Sequence, residues 1–95
     1  MSFPKPSDSA HDVVIYVTAF CAFCVMAKQL LTRRGIDFEV IAVDGNADAR
    51  NWLVQETQQR TVPQIFIRGR SIGGFQELAA MDRSGALQEA LAATA

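Results

Sequence analysis

Both cysteines of this 95-residue chain, Cys21 and Cys24, stand close together with two residues between them. The apolar run 13–17 precedes the pair, and a segment with the apolar spacing of a helix follows it. A strand therefore delivers two thiols to a helix N-terminus, where unpaired N–H groups and the helix dipole stabilise an anion. Cys21 should ionise more easily than a free thiol, and Cys24, about one turn further along, should be the more buried sulfur.

Three other uses of the cysteine pair compete with redox chemistry. A structural disulfide closing so short a loop would remove little entropy from the unfolded chain. A structural zinc site needs four ligands, and the only other soft candidate is His11. Two inert core cysteines would be expected inside an element, whereas these stand at a junction between strand and helix. The pattern favours a redox pair over each alternative.

Composition limits the classes of partner. About half of the residues are hydrophobic and a fifth are charged, as in an ordinary globular domain, and the formal net charge is −1. Such a balance creates no field that attracts nucleic acid or an anionic membrane. The sequence shows neither a signal peptide nor an apolar run long enough to cross a membrane. A secreted domain that depends on disulfides usually has several of them closing long loops, whereas this chain has two cysteines with only two residues between them. We therefore expect a cytoplasmic location.

Hydrophobic periodicity and turn residues divide the chain into elements. Residues 1–11 carry two prolines and no apolar core pattern, and we predict a flexible tail followed by one domain over residues 12–95. The first strand, helix and second strand form a βαβ unit, so the two strands should be parallel. Predicted strands are 13–18, 38–43, 64–68 and 71–72. Predicted helices are 22–34, a second one capped by Asn46 or Asp48 and running to about residue 58, and 75–93, the last broken near residue 84.

This order of elements, with C-x-x-C after the first strand, resembles the glutaredoxins, which are small members of the thioredoxin-fold superfamily. The resemblance covers roughly residues 13–91 and implies an α/β thioredoxin-like fold, a four-stranded mixed sheet flanked by helices in the order β-α-β-α-β-β-α. Three separate motifs carry it: Cys21-Ala22-Phe23-Cys24, Thr61-Val62-Pro63-Gln64, and Ile72-Gly73-Gly74-Phe75.

The resemblance implies a glutathione-dependent thiol–disulfide oxidoreductase that reduces protein disulfides and glutathione mixed disulfides. Cys21 would attack as the thiolate and Cys24 would resolve the intermediate. Glutathione would be reductant and cosubstrate, recharged by glutathione reductase, and the partners of this monomer would be glutathionylated or disulfide-containing proteins. The bond before Pro63 would be cis. The implied glutathione site consists of Thr18, Phe23, Arg50, Thr61, Val62, Pro63, Gly74, Phe75, Gln76 and Glu77.

The chain departs from the family pattern at several of these positions. Thr18 stands where the family usually has a lysine that assists the thiolate and binds the glycine carboxylate of glutathione. Ala22 replaces a proline, and Phe23 replaces a tyrosine. Gln76 and Glu77 replace a more usual pair of aspartates.

Two alternative functions remain open at this point. Some glutaredoxins that lack the proline after the first cysteine hold a [2Fe–2S] cluster between two subunits, each giving one cysteine, here Cys21, and one glutathione. Two cysteines cannot ligate a cluster within one chain, so a dimer and outside thiols would be needed. We expect no other metal site. The second alternative is a thioredoxin-like reductant recharged by a flavoprotein.

Overall fold

A computed structural model describes residues 3–92 of the chain. The predicted order of strands and helices is confirmed, and the last helix is divided in two. Residues 1, 2 and 93–95, which include the predicted end of that helix, lie outside the described residues. After a short 3₁₀ turn at Pro6–Asp8, the elements are β1 Val13–Val17, α1 Ala22–Arg33, β2 Phe38–Ala42, α2 Ala47–Thr57, β3 Gln64–Ile67, β4 Arg70–Gly73, α3 Phe75–Ser84 and α4 Ala86–Ala92.

The four strands form one mixed sheet in the order β2-β1-β3-β4. Strands β1 and β2 are parallel, as the βαβ pattern predicts, whereas β3 runs antiparallel to β1 and to β4. All five residues of β1 are buried, because helices cover both faces of this central strand. The strand that leads to the cysteines is thus held from both sides.

Side chains alternate along β1 between two apolar layers. Ile15 points into the larger layer, which contains Leu31 of α1, Leu78 of α3 and Leu87 of α4. Tyr16 points into the other layer, with Leu53 of α2 and Phe66 of β3. Full burial of one such side chain contributes about 1.5–3 kcal/mol before entropy is counted, so these layers fix the sheet between its helices.

The segment before β1 packs on the second of these layers. The Phe3 ring lies 5.6 Å from the Trp52 ring, measured between centroids. The hydroxyl of buried Tyr16 donates to the Pro4 carbonyl oxygen at 2.9 Å, which satisfies a polar group that burial would otherwise leave unpaired. The expectation that this segment lacks core contacts is therefore wrong at Phe3. The boundary between tail and domain at residue 12 stays a prediction.

Gly85 produces the break between α3 and α4. Its φ of +86° places it in the left-handed region that glycine adopts without a steric penalty, and it ends α3. Just before it, the Asp82 carboxylate accepts two bonds from the Arg34 guanidinium, each at 2.9 Å, and one from the Gln88 amide at 2.9 Å. These contacts join the ends of α1, α3 and α4. No helix within residues 3–92 is long and apolar enough to cross a membrane.

Candidate active site

Cys21 is the N-cap residue of α1. Its backbone is extended, with φ −142° and ψ 107°, and its sulfur accepts from the Cys24 backbone N–H at 3.1 Å. The same sulfur lies 3.6 Å from the Val62 carbonyl oxygen, to which the thiol form donates. An N–H group directed at a partly exposed sulfur at a helix N-terminus stabilises the thiolate. The predicted placement of this cysteine is confirmed.

Cys24 is only 1 % exposed, which confirms that it is the more buried sulfur. Burial raises the pKa of its thiol to about 11, and the hydrogen bond to Cys21 adds to this effect. The Thr18 backbone and Lys28 act in the opposite direction. Both cysteines are free. The pair therefore consists of one accessible sulfur and one buried sulfur whose thiol resists ionisation.

The turn before β3 brings Val62 to Cys21. The Val62-Pro63 bond is cis, as expected. The Gln64 side-chain amide donates to the Thr61 carbonyl oxygen at 2.9 Å and braces the turn. Gln64 is fully buried, and its Oε1 has no hydrogen-bond partner among the described residues. No role was predicted for Gln64, because a glutamine in a short strand carries no sequence signal of burial.

A cavity of about 290 Å³ opens beside Val62 and Pro63, in the turn before β3. The Phe23 and Phe75 rings stack at its edge with their centroids 6.1 Å apart. Gln59 lines the cavity too, although it was not among the predicted residues. Eight predicted glutathione-site residues line it together: Phe23, Thr61, Val62, Pro63, Gly74, Phe75, Gln76 and Glu77.

Glu77 folds back over the N-terminus of α3. Its Oε1 accepts from the Gly74 N–H at 2.7 Å, the reciprocal bond of a capping box. Gly73 precedes this turn with φ +104°, and a Cβ there would stand 2.8 Å from the Glu77 Cγ. A side chain at Gly73 would therefore collide with Glu77 in a backbone region that already disfavours it. The carboxylate is thus fixed at the wall of the cavity.

A second cavity of about 340 Å³ adjoins the first and shares Gln59, Thr61 and Val62 with it. Arg50 lines this second cavity and not the first. Arg60 lines it too, although it was not among the predicted residues; its position directly before the Thr61-Val62-Pro63 motif was the available signal.

Among the residues predicted to bind glutathione, Thr18 alone lines neither cavity. It stands between the end of β1 and Cys21, and its backbone hydrogen bonds to the Cys24 sulfur. A role for its side chain in holding glutathione stays a prediction.

The sequence matches the Glutaredoxin family profile across residues 13–72. The chain belongs to the glutaredoxin family. It is 47 % identical to a glutaredoxin of Pseudomonas aeruginosa over 81 residues, which are 85 % of this chain and 96 % of that protein. It is 40 % identical to glutaredoxin 3 of Escherichia coli over 80 residues, covering 84 % and 96 % of the two chains.

Solved glutaredoxins share the fold. The solution structure of a dithiolic glutaredoxin from Trypanosoma brucei brucei superposes with a TM-score of 0.82 at 33 % identity, covering 97 % of this chain and all of that one. A buckwheat glutaredoxin–glutathione complex gives a TM-score of 0.80 at 32 % identity, covering 86 % and 77 % of the two chains. Family and fold together support a thiol–disulfide oxidoreductase with Cys21 and Cys24 in its active-site region.

Proposed function

We propose that this glutaredoxin reduces protein disulfides and glutathione mixed disulfides with glutathione as the electron source. The Cys21 thiolate attacks the glutathione sulfur of a mixed disulfide. A bond forms between these two sulfurs, the substrate's S–S bond breaks, and the electron pair leaves with the protein sulfur, which takes a proton from water. A second glutathione then attacks the Cys21 mixed disulfide, which releases glutathione disulfide and the reduced enzyme. If Cys24 attacks instead, glutathione leaves and the enzyme holds a Cys21–Cys24 disulfide, which two further glutathione molecules reduce.

The charge pattern of the two adjoining cavities carries this proposal. Glu77 and the N-terminal N–H groups of α3 lie at the first cavity, and Arg50 and Arg60 line the second. Glutathione bears an ammonium and a carboxylate at its γ-glutamyl end, a carboxylate at its glycine end, and its sulfur between them. Val62, shared by both cavities, is also the residue whose carbonyl oxygen touches the Cys21 sulfur. A tripeptide lying along both cavities thus brings its sulfur to the nucleophile.

The different environments of the two sulfurs support the proposed roles of Cys21 as the nucleophile and Cys24 as the resolving cysteine. Cys21 is accessible and receives an N–H bond, as an attacking thiolate requires, and the same stabilisation makes it a good leaving group. Cys24 is buried, and the raised pKa of its thiol keeps it protonated at neutral pH, so it does not compete with Cys21 as the attacking sulfur. Cys24 therefore resolves the intermediate and, with Cys21, forms the disulfide when a dithiol substrate is reduced.

We further propose that the enzyme acts as a monomer in the cytoplasm, with glutathione reductase restoring its reductant indirectly. A thiol pair that depends on reduced glutathione requires a reducing compartment. Glutathionylated and disulfide-containing proteins are the proposed partners.

A coupled assay tests the function. Turnover of the mixed disulfide of cysteine and glutathione would be followed through NADPH consumption by glutathione reductase, with thioredoxin reductase as the alternative electron source. We expect turnover with glutathione and none with thioredoxin reductase alone. Turnover with thioredoxin reductase and none with glutathione and glutathione reductase would contradict the proposal. A brown, dimeric protein after anaerobic purification that is inactive in this assay would instead indicate the [2Fe–2S] alternative.

A further inference from the structure

Phe20 is the residue directly before the nucleophile, and its side chain is 102 % exposed. The loop that carries it is anchored, because the Ala19 backbone N–H donates to the Asp44 carboxylate at 3.0 Å. A large apolar side chain is thus presented to solvent beside Cys21 by a fixed backbone. Neither the thiol chemistry nor the two cavities use this ring.

Phe23, Val25 and Met26 in the first two turns of α1 are also exposed apolar residues, and together with Phe20 they are called the apolar rim. Phe23 also lines the first cavity, so the rim continues from the proposed glutathione site. Residues 18–27 include no charged side chain. A surface of this kind beside a reactive sulfur fits an apolar polypeptide segment better than a charged one.

The geometry of the exchange reaction places the polypeptide half of the substrate at the apolar rim. The Cys21 sulfur, the glutathione sulfur and the departing protein sulfur must lie nearly in line during the exchange. The glutathionyl half occupies the side walled by Val62 and Phe75. The polypeptide around the departing sulfur therefore lies over the open side, which is the loop at Phe20 and the start of α1.

We propose that Phe20, together with the rest of the apolar rim, selects mixed-disulfide substrates whose modified cysteine is flanked by apolar side chains. This inference rests on the proposed function, since it assigns the polypeptide half of the same reaction. It makes Phe20 a specificity-determining residue that contacts the protein substrate and not glutathione.

Two glutathionylated octapeptides of equal net charge test the inference, one with leucine on both sides of the modified cysteine and one with serine. The ratio of their kcat/KM values would be measured for the wild type, Phe20→Ser, Phe20→Leu and Val40→Ser. Val40 is an exposed apolar residue in the middle of edge strand β2, so its replacement controls for lost apolar surface in general. The cysteine–glutathione mixed disulfide would be assayed with the wild type in parallel.

We expect the wild type to prefer the leucine peptide by about five- to tenfold, the scale of a partly buried apolar contact. Phe20→Ser should bring the ratio close to one, Phe20→Leu should keep most of it, and Val40→Ser should keep all of it. An equal ratio in wild type and Phe20→Ser, with the small disulfide still turned over, overturns this inference alone. Failure of the wild type to turn over the small disulfide overturns the proposed function and this inference with it.

Discussion

Cys24 lies three residues after Cys21, yet burial gives its thiol a pKa of about 11. At pH 7 such a thiol is ionised in roughly one molecule in ten thousand, whereas an ordinary thiol is a few per cent ionised. Burial of Cys24, and not its contact with Cys21, is the largest cause of this shift. Resolution by dissolved glutathione should therefore compete well with resolution by Cys24 at neutral pH.

This difference leads to a prediction for the two serine variants. Cys21→Ser should abolish all activity, because it removes the nucleophile. Cys24→Ser should keep at least about half of the deglutathionylation rate at pH 7, because a second glutathione resolves the intermediate, but it should lose the reduction of dithiol substrates. The coupled assay with both substrate types, repeated between pH 6 and 9, measures this.

Below about pH 8.5 the thiolate fractions of Cys24 and of free glutathione both grow about tenfold per pH unit, so the share of Cys24 should rise only above that pH, where glutathione is already ionised. Equal loss of deglutathionylation in both variants would contradict the assigned roles.

Arg50 and Arg60 are a second test at the level of single residues. If both face the glycine carboxylate of glutathione, Arg50→Gln and Arg60→Gln should each raise the KM for a glutathionyl substrate by roughly fivefold, the scale of one exposed ion pair. The kcat should change little, because the contact lies far from the reacting sulfurs. Arg70→Gln, at an exposed arginine in β4, is the matched control. Unchanged KM values in both site variants would show that the glycine end lies elsewhere.

At the scale of elements, the start of α3 combines a structural and a chemical role in Glu77. Glu77→Gln keeps an oxygen that can accept from the Gly74 N–H but removes the charge, so thermal stability should hold while the KM for glutathionyl substrates rises roughly fivefold. Glu77→Ala loses the cap as well, which costs about 1 kcal/mol or a fall in Tm of about 4–8 °C.

Thermal denaturation beside the coupled assay separates the two roles of Glu77. A Glu77→Gln variant with wild-type KM would show that its charge does not face the substrate.

Elements were more predictable from the sequence than the contacts between them. The apolar run of β1, the spacing of α1 and the glycine after it fix local structure by periodicity and turn chemistry, and the structure agrees with them. Gln64 could not be foreseen as a buried brace, because its burial depends on the tertiary packing around β3, which no local pattern records. Phe3 has the composition of a tail for a similar reason, since its aromatic partner Trp52 lies about 50 residues away along the chain.

The site residues likewise differ in how far local sequence motifs predict them. Motifs identified eight residues of the first cavity because short stretches of chain carry them there. Arg60 and Arg50 line one cavity although they belong to different segments, and the only local signal for Arg60 was its position directly before the Thr61-Val62-Pro63 motif. Thr18 was assigned by position in a family motif, and its neighbourhood in this fold is the Cys24 sulfur.

At the scale of the whole molecule, the contacts of Asp82 hold together the helices that cover one face of the sheet. The hydrogen bonds from Arg34 and then from Gln88 keep the pKa of the Asp82 carboxyl below its usual range. Because the folded-state pKa lies below the unfolded one, this stabilisation is present above about pH 4 and is lost as the pH falls through the folded value. Part of the Arg34 side chain is exposed, so solvent and salt weaken the pair.

Asp82→Asn should therefore lower the Tm by roughly 2–5 °C at pH 7, and the difference from the wild type should shrink as the pH falls below about 4. Asp37→Asn, at an exposed carboxylate in the loop before β2, should leave the Tm within about 1 °C at every pH and serves as the control. Circular dichroism melts of the three proteins at pH 7, 5, 4 and 3, in low salt and again in 0.5 M salt, measure both effects. A Tm difference that stays constant down to pH 3 would mean that packing at position 82, and not the charge of its carboxylate, holds α1, α3 and α4 together.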